Sequence, residues 1–155
     1  MALSIRELAP EDTTDPRLLP LAEEIRDYYL KSGTMIEIDV QTTFKNVAAM
    51  LTGGIGVFIV LEDDGVPIGF ICGVACGDPL CSRIVATELF WYTARERRHE
   101  GLGELLINAF EIWAKSRGAS RIRLAHLADL RSSENKRLYE AMGFKACEVA
   151  YEREV

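Results

Sequence analysis

Apolar and polar residues along this chain follow two periods, and the changes between them mark out its elements. Residues 15–31 carry Leu18, Leu21, Ala22, Ile25, Tyr28 and Tyr29 at the three- and four-residue spacing of one helical face. Val40, Phe44, Val47, Ala48 and Leu51 repeat that spacing and predict a second helix over 40–51. Pro16 suits an early helical position, and Ser32-Gly33 and Gly53-Gly54 suit the two ends. A weaker alternation over Ser4–Leu8 predicts a strand ahead of both.

From Gly56 the period drops to two. Gly56–Leu61 is a short β-branched and aromatic run, Asp63-Asp64-Gly65 is a hairpin turn signal, and Val66–Cys76 is the returning strand. On that strand Ile68, Phe70, Cys72, Val74 and Cys76 point one way. Gly69, Ile71, Gly73 and Ala75 point the other way, a small-residue face that a helix can approach closely. Residues 77–83 read as a loop and Ile84–Thr93 as a third strong strand. Leu102, Leu105, Leu106, Ala109, Phe110 and Trp113 then form the clearest amphipathic helix, closed by Arg117-Gly118. Arg121–Leu127 alternates as a strand, Ser132 or Ser133 can cap a helix running to Met142, and Phe144–Val155 offers one or two closing strands. The order β-α-α-β-β-β-α-β-α-β places antiparallel strands first and a β-α-β-α unit after them. It predicts an α/β (α+β) fold, a mixed and mostly antiparallel sheet flanked by helices, in one domain over 1–155.

Composition narrows the class. With 155 residues, 48% of them hydrophobic and 27% charged, the chain can bury a real core. No apolar run approaches the roughly 18 residues that cross a bilayer, and the first residues lack the pattern of a signal peptide, so a cytoplasmic protein away from membranes is expected. The four cysteines form no CxxC pair. Cys72 and Cys76, on one strand face, would lie about 13 Å apart at ~3.3 Å per residue, too far to share an ion, so no metal is expected. Residues 1–80 carry a net −8 and residues 81–155 a net +2. That asymmetry fits an anionic cosubstrate beside a cationic acceptor, and an ordinary solvated surface explains it equally well. No basic stripe with interleaved aromatics is present, which argues against nucleic acid.

The chemistry concentrates at Arg98-His99-Glu100-Gly101-Leu102-Gly103, which joins the third strong strand to the amphipathic helix. Glycines let backbone N–H groups approach an anion, and a helix N-terminus adds partial positive charge, so a phosphate or pyrophosphate is the natural occupant. Arg95, Arg97 and Arg98 crowd the same approach. A glycine-rich turn without a ligand remains the alternative. Leu106 stands where a dinucleotide fingerprint needs a third small residue, and no Gly-Lys-Ser/Thr follows, so neither a Rossmann site nor a P-loop is present.

Arg98-x-x-Gly101-x-Gly103 after a strand, a Leu-rich helix, a strand, and then Asn135-x-x-x-Tyr139-x-x-x-Gly143-Phe144 resemble the GCN5-related N-acetyltransferase (GNAT) family. The hairpin Gly65-Val66-Pro67-Ile68-Gly69-Phe70 is similar as well. The resemblance covers residues 55–146 closely. It implies a GNAT-like acyl-CoA-binding fold with splayed central parallel strands, and transfer of an acetyl group from acetyl-CoA to a primary amine. The pantetheine arm would bond to Trp91, Tyr92 and Thr93, and the pyrophosphate would sit on the amides of Arg98, His99, Glu100, Gly101, Leu102, Gly103 and Glu104. Asn135 would line the thioester end. Tyr139 would protonate the departing thiolate, and a backbone N–H of Tyr92 or Thr93 would meet the oxyanion. Glu88, mid-strand in an apolar run and sharing a face with Phe90 and Tyr92, is the candidate base, where partial burial would raise its pKa into a useful range. An edge-exposed glutamate, or a partner for Arg83 or Arg123, is the structural alternative for Glu88. Two departures stand out: Glu100 puts a carboxylate inside the phosphate loop, and His99 replaces a common glycine. His126 reads as a structural or acceptor-pocket residue. The acceptor would be a small molecule or a protein; the first two helices and the strand 84–93 should shape its pocket, and their acidic bias suits a polyamine, an aminoglycoside, a lysine or a peptide N-terminus. Homodimers are common in similar proteins. A noncatalytic acyl-CoA sensor or interaction module is the competing reading, as is a longer acyl donor.

Overall fold

Residues 2–34, 36–128 and 131–155 are described by a computed structural model. Five strands, β1 (Leu3–Glu7), β2 (Gly56–Asp63), β3 (Val66–Gly77), β4 (Ile84–Thr93) and β5 (Ala119–Arg123), form one sheet in sequence order. The first four pair antiparallel, and β5 joins β4 in parallel. Four helices flank the sheet: α1 (Leu19–Leu30), α2 (Val40–Thr52), α3 (Leu102–Ser116) and α4 (Ser132–Ala141).

Local chemistry accounts for most boundaries. The β2–β3 hairpin turns at Asp64 (φ 48°) and Gly65 (φ 79°), the paired positive φ values of a tight two-residue turn. Asp39 caps α2 by accepting the Thr42 N–H. The small face of β3 is where α3 packs: a Cβ on Gly69 would lie 3.1 Å from Leu106, and one on Gly73 2.5 Å from Phe110. The opposite face, with Phe58, Phe70 and Phe90 in mutual ring contact, is covered by α1 and α2.

Four expectations change. The first helix is preceded by 3₁₀ turns at Pro10–Thr14 and Pro16–Leu18, because prolines at 10, 16 and 20 restrict each start. Neither Ser132 nor Ser133 caps α4; both lie in its first turn behind Arg131, whose φ is 50°. Residues 124–127 leave the sheet rather than extend β5. Phe144–Val155 forms no strand and is largely exposed, with Tyr151 fully in solvent. Its apolar residues are too scattered among Lys145, Glu148, Glu152, Arg153 and Glu154 to offer a face worth burying.

Candidate active site

The site begins at an irregularity in β4. Cys72 of β3 pairs with Phe90 and Gly73 with Glu88, so Leu89 is an extra residue that opens a β-bulge. Beyond it, β4 and the chain after β5 part: their parallel pairing runs from Ile84 only to Thr87. The bulge also breaks the simple alternation that was expected to put Glu88 on one face with Phe90 and Tyr92. The opened edge has polar backbone to offer. Ala94 donates its N–H to Ile68 of β3 at 2.8 Å. Antiparallel alternation then commits Tyr92 to its partner Phe70 and turns the N–H groups of Trp91 and Thr93 toward the gap.

A cavity of about 300 Å³ fills this gap. Glu88, Trp91, Tyr92, Thr93, Arg98, His99, Gly101, Leu102, Gly103, Glu104 and Asn135 all line it. One end is the N-terminus of α3, which no side chain caps. The Leu105 N–H reaches the Gly101 carbonyl, so the N–H groups of Leu102, Gly103 and Glu104 lie ahead of the first intrahelical bond. Before the helix, the Arg98 and Glu100 N–H groups turn back on the carbonyls of Arg95 and Arg97 at 3.4 Å each. The candidate anion cradle therefore narrows to His99 and Gly101 through Glu104.

Both departures in the loop have structural answers. His99 takes φ 82°, the left-handed conformation that glycine adopts freely, so the backbone path is kept at a cost in strain. Glu100 is tied by Arg97 at 2.7 Å, and Arg97 also reaches Asp63 at 3.0 Å, so one guanidinium holds both carboxylates and offsets part of their charge beside the loop. Arg98 spreads its guanidinium over the rings of Tyr28 and Tyr92, with centroids 5.1 and 5.0 Å away. Tyr92 is fixed in turn by Glu24, which accepts from its hydroxyl at 2.9 Å and from the Arg95 N–H at 2.8 Å.

At the other end lies the buried Glu88 carboxyl, which accepts the Ala125 N–H at 3.0 Å. Burial pushes its pKa up to about 7, against the lowering effect of that bond. The expected alternative, an ion pair with Arg83 or Arg123, is not how the carboxylate is held. Tyr139 sits just behind the lining. Its hydroxyl donates to the Ala125 carbonyl at 2.7 Å and accepts from the Trp91 indole N–H at 2.8 Å. Burial raises its pKa and keeps the phenol protonated. His126 lies against the Tyr139 ring, with centroids 6.1 Å apart, and lines the cavity.

Several residues in or beside the cavity escaped the sequence reading. Tyr28 and Tyr29 were legible only as apolar helix positions. Glu24 carried no signal, and Ala125 acts through its backbone, which no side-chain motif advertises. Among the described residues, no group of three or more His, Cys, Asp or Glu could hold a metal ion, and no helix is long and apolar enough to cross a membrane.

Comparison with solved structures gives the same architecture. An aminoglycoside acetyltransferase from an uncultured soil metagenomic sample superposes with a TM-score of 0.77 at 15% identity, over 100% of this chain and 99% of that one. Ribosomal-protein-alanine N-acetyltransferase from Brucella melitensis biovar Abortus 2308 gives 0.74 at 18%, over 99% of each chain. A predicted acetyltransferase from Clostridium acetobutylicum, crystallised with acetyl-CoA, gives 0.75 at 17%, over 99% of this chain and 96% of that one. No curated protein matches the sequence at a significant level. Residues 16–144 match the acetyltransferase (GNAT) family, and the chain belongs to it.

Proposed function

We propose that this protein transfers an acetyl group from acetyl-CoA to a primary amine by direct attack of the amine on the thioester. The observation that carries this reading is the shape of the β4 gap: an uncapped helix N-terminus at one end and a buried carboxyl of raised pKa at the other. The residues present suit the donor. The amides of His99 and of Gly101 through Glu104 would hold the pyrophosphate, with Arg98 and Arg131 lining the same cavity. The exposed edge of β4 at Trp91 and Thr93 would bond the pantetheine amides, and Asn135 would lie toward the thioester.

Acetyl-CoA supplies an activated acyl carbon and a thiol leaving group. Glu88 acts as the base, taking one proton from the incoming ammonium directly or through water, so that the neutral nitrogen attacks. The C–N bond forms as the C–S bond breaks. The Thr93 N–H, turned into the gap, stabilises charge on the carbonyl oxygen, a role its neighbour Tyr92 is not placed to take. Tyr139 gives a proton to the departing sulfur once its hydroxyl releases the Ala125 carbonyl. The Trp91 indole N–H stabilises the phenolate until the second proton, shed by the nitrogen as the amide forms, restores it through solvent. Glu88 releases the first proton to solvent. A noncatalytic acyl-CoA sensor would need only the phosphate end of the cavity; the buried Glu88 favours the enzyme. Release of free thiol from acetyl-CoA across a panel of primary amines, with acetylated product identified by mass, tests the reading. Absence of amine-dependent thiol release in protein that binds acetyl-CoA would favour the sensor.

A further inference from the structure

A second cavity, of about 170 Å³, lies beside β4, between the sheet and the helices α1 and α2. It is walled by Ile25, Phe44, Phe58, Phe70 and Phe90 among other apolar side chains, and among the described residues no charged side chain lines it. The two cavities are neighbours. Tyr29 lines both, and Glu88 of the first is followed directly by Leu89 and Phe90 of the second. Glu88 and Phe90 are two residues apart across the bulge, at most about 7 Å of chain, which an amine and an apolar group joined through one or two carbons would span.

We propose that the acceptor is a small primary amine carrying one aryl or comparably bulky apolar group, which occupies this second cavity while the nitrogen is held at Glu88. The inference rests on the acetyltransferase reading above. The size is right: an apolar cavity of roughly 150 Å³ suffices to bind benzene. The chemistry of the wall selects against the polycations that the acidic first half had suggested. A second ammonium in this cavity would lose its water and meet no carboxylate. Several acidic residues of the first half are engaged elsewhere. Asp12, Asp15 and Glu62 surround Arg6, Asp39 caps α2, and Glu24 holds Tyr92 and the Arg95 N–H.

The test separates binding from chemistry. Calorimetric titration of the full chain, saturated with coenzyme A, would compare 2-phenylethylamine, ethylamine and spermidine. 2-Phenylethylamine should bind roughly 10- to 100-fold more tightly than ethylamine, the gain from burying one aromatic side-chain equivalent. Ile38→Trp, which fills the cavity, should erase that preference. Phe44→Ala, which enlarges it, should shift preference toward 2-(2-naphthyl)ethylamine, so that loss of folding in one variant leaves the other decisive. Equal affinity for ethylamine and 2-phenylethylamine, tighter binding of spermidine, or unchanged preference in the variants would overturn the inference. Acetylation of spermidine alone would overturn it while leaving the acetyltransferase reading intact. Selective binding of 2-phenylethylamine without its acetylation would keep the pocket and sink that reading instead.

Discussion

Glu88 and Tyr139 meet on one residue: the Ala125 N–H donates to the Glu88 carboxyl at 3.0 Å, and the Ala125 carbonyl accepts from the Tyr139 hydroxyl at 2.7 Å. The candidate base and candidate acid are thus held by the two polar groups of a single backbone position. That position lies where the chain has just left β5, beyond the end of its pairing with β4. Interstrand hydrogen bonds have been exchanged there for side-chain bonds to functional groups, which keeps the gap open without leaving Ala125 unpaired.

Glu88→Gln should leave acetyl-CoA affinity nearly unchanged and lower turnover at neutral pH. In the native protein kcat/KM should rise with pH through an inflection near 7, where the buried carboxyl becomes able to take a proton. The variant should lack that inflection, and its deficit should shrink as alkaline pH supplies neutral amine. A deficit constant across pH would assign Glu88 to acceptor binding instead.

The same carboxyl carries a stability signature of opposite sense. Its folded pKa of about 7 lies above the ordinary value of 4.5, so the folded state holds the proton more tightly than the unfolded chain. The stabilisation from protonation is complete below pH 4.5 and is lost as pH rises through 7. The loss is about 3 kcal/mol at 1.36 kcal/mol per unit. Glutamine has no such proton. Glu88→Gln should therefore gain on the native protein by several degrees in Tm between pH 4.5 and 8, as read by thermal melts across that range.

The two loop glycines should fail in different ways. A Cβ at Gly101 meets nothing within 4 Å, but its φ of 75° is left-handed, so Gly101→Ala should cost about 1 kcal/mol of stability through backbone strain. Gly103 has ordinary φ, yet its Cβ would stand 3.0 Å from the Trp91 ring and 3.3 Å from Leu138. Gly103→Val should displace Trp91 and with it the indole N–H bonded to Tyr139, lowering kcat as well as acetyl-CoA affinity. Calorimetry beside steady-state kinetics separates the two.

His99→Gly should stabilise the protein. A histidine at φ 82° is strained by about 1–2 kcal/mol, and glycine removes that strain while adding unfolded-state freedom. The net gain should be about 0.5–1 kcal/mol, a rise of roughly 1–4 °C in Tm for a chain of this size.

How legible this site was depended on whether side chains or backbone carried it. The glycine loop ahead of α3, the small face of β3 and the candidates Glu88 and Asn135 stood out in the sequence because residue type and spacing express them. The bulge at Leu89 could not, since one inserted residue leaves the apolar character of β4 unchanged while shifting its register. Ala125 was invisible for the same kind of reason: any residue supplies its N–H and carbonyl. The predicted closing strands over 144–155 erred toward pattern, because a weak alternation reads as a strand whether or not a partner edge rewards it. The acidic bias of the first half misled in another way. Counting charge could not show that Arg6, Arg95 and a helix cap already engage several of those carboxylates.

Tyr139→Phe tests the candidate acid while keeping the ring that packs beside His126 and Phe144. The hydroxyl is bonded on both sides, so its removal leaves the Ala125 carbonyl and the Trp91 indole N–H without their partner. Stability should fall by about 1–3 kcal/mol even though little volume is lost. If Tyr139 protonates the departing sulfur, kcat should drop by roughly 10²–10⁴-fold with little change in acetyl-CoA Kd. The drop should shrink with an acetyl thioester of a more acidic thiol, which needs no proton to leave. Trp91→Phe removes the indole donor and keeps an aromatic ring against Gly103, and it should share that dependence on the thiol at a smaller amplitude. If Tyr139 serves only to hold Ala125, the loss should be the same for both thioesters. The inflection near pH 7 should then also move, because the peptide that bonds Glu88 would be freed. Kinetics of the two single variants and the double variant, with both thioesters and across pH, decide between a proton donor and a clamp.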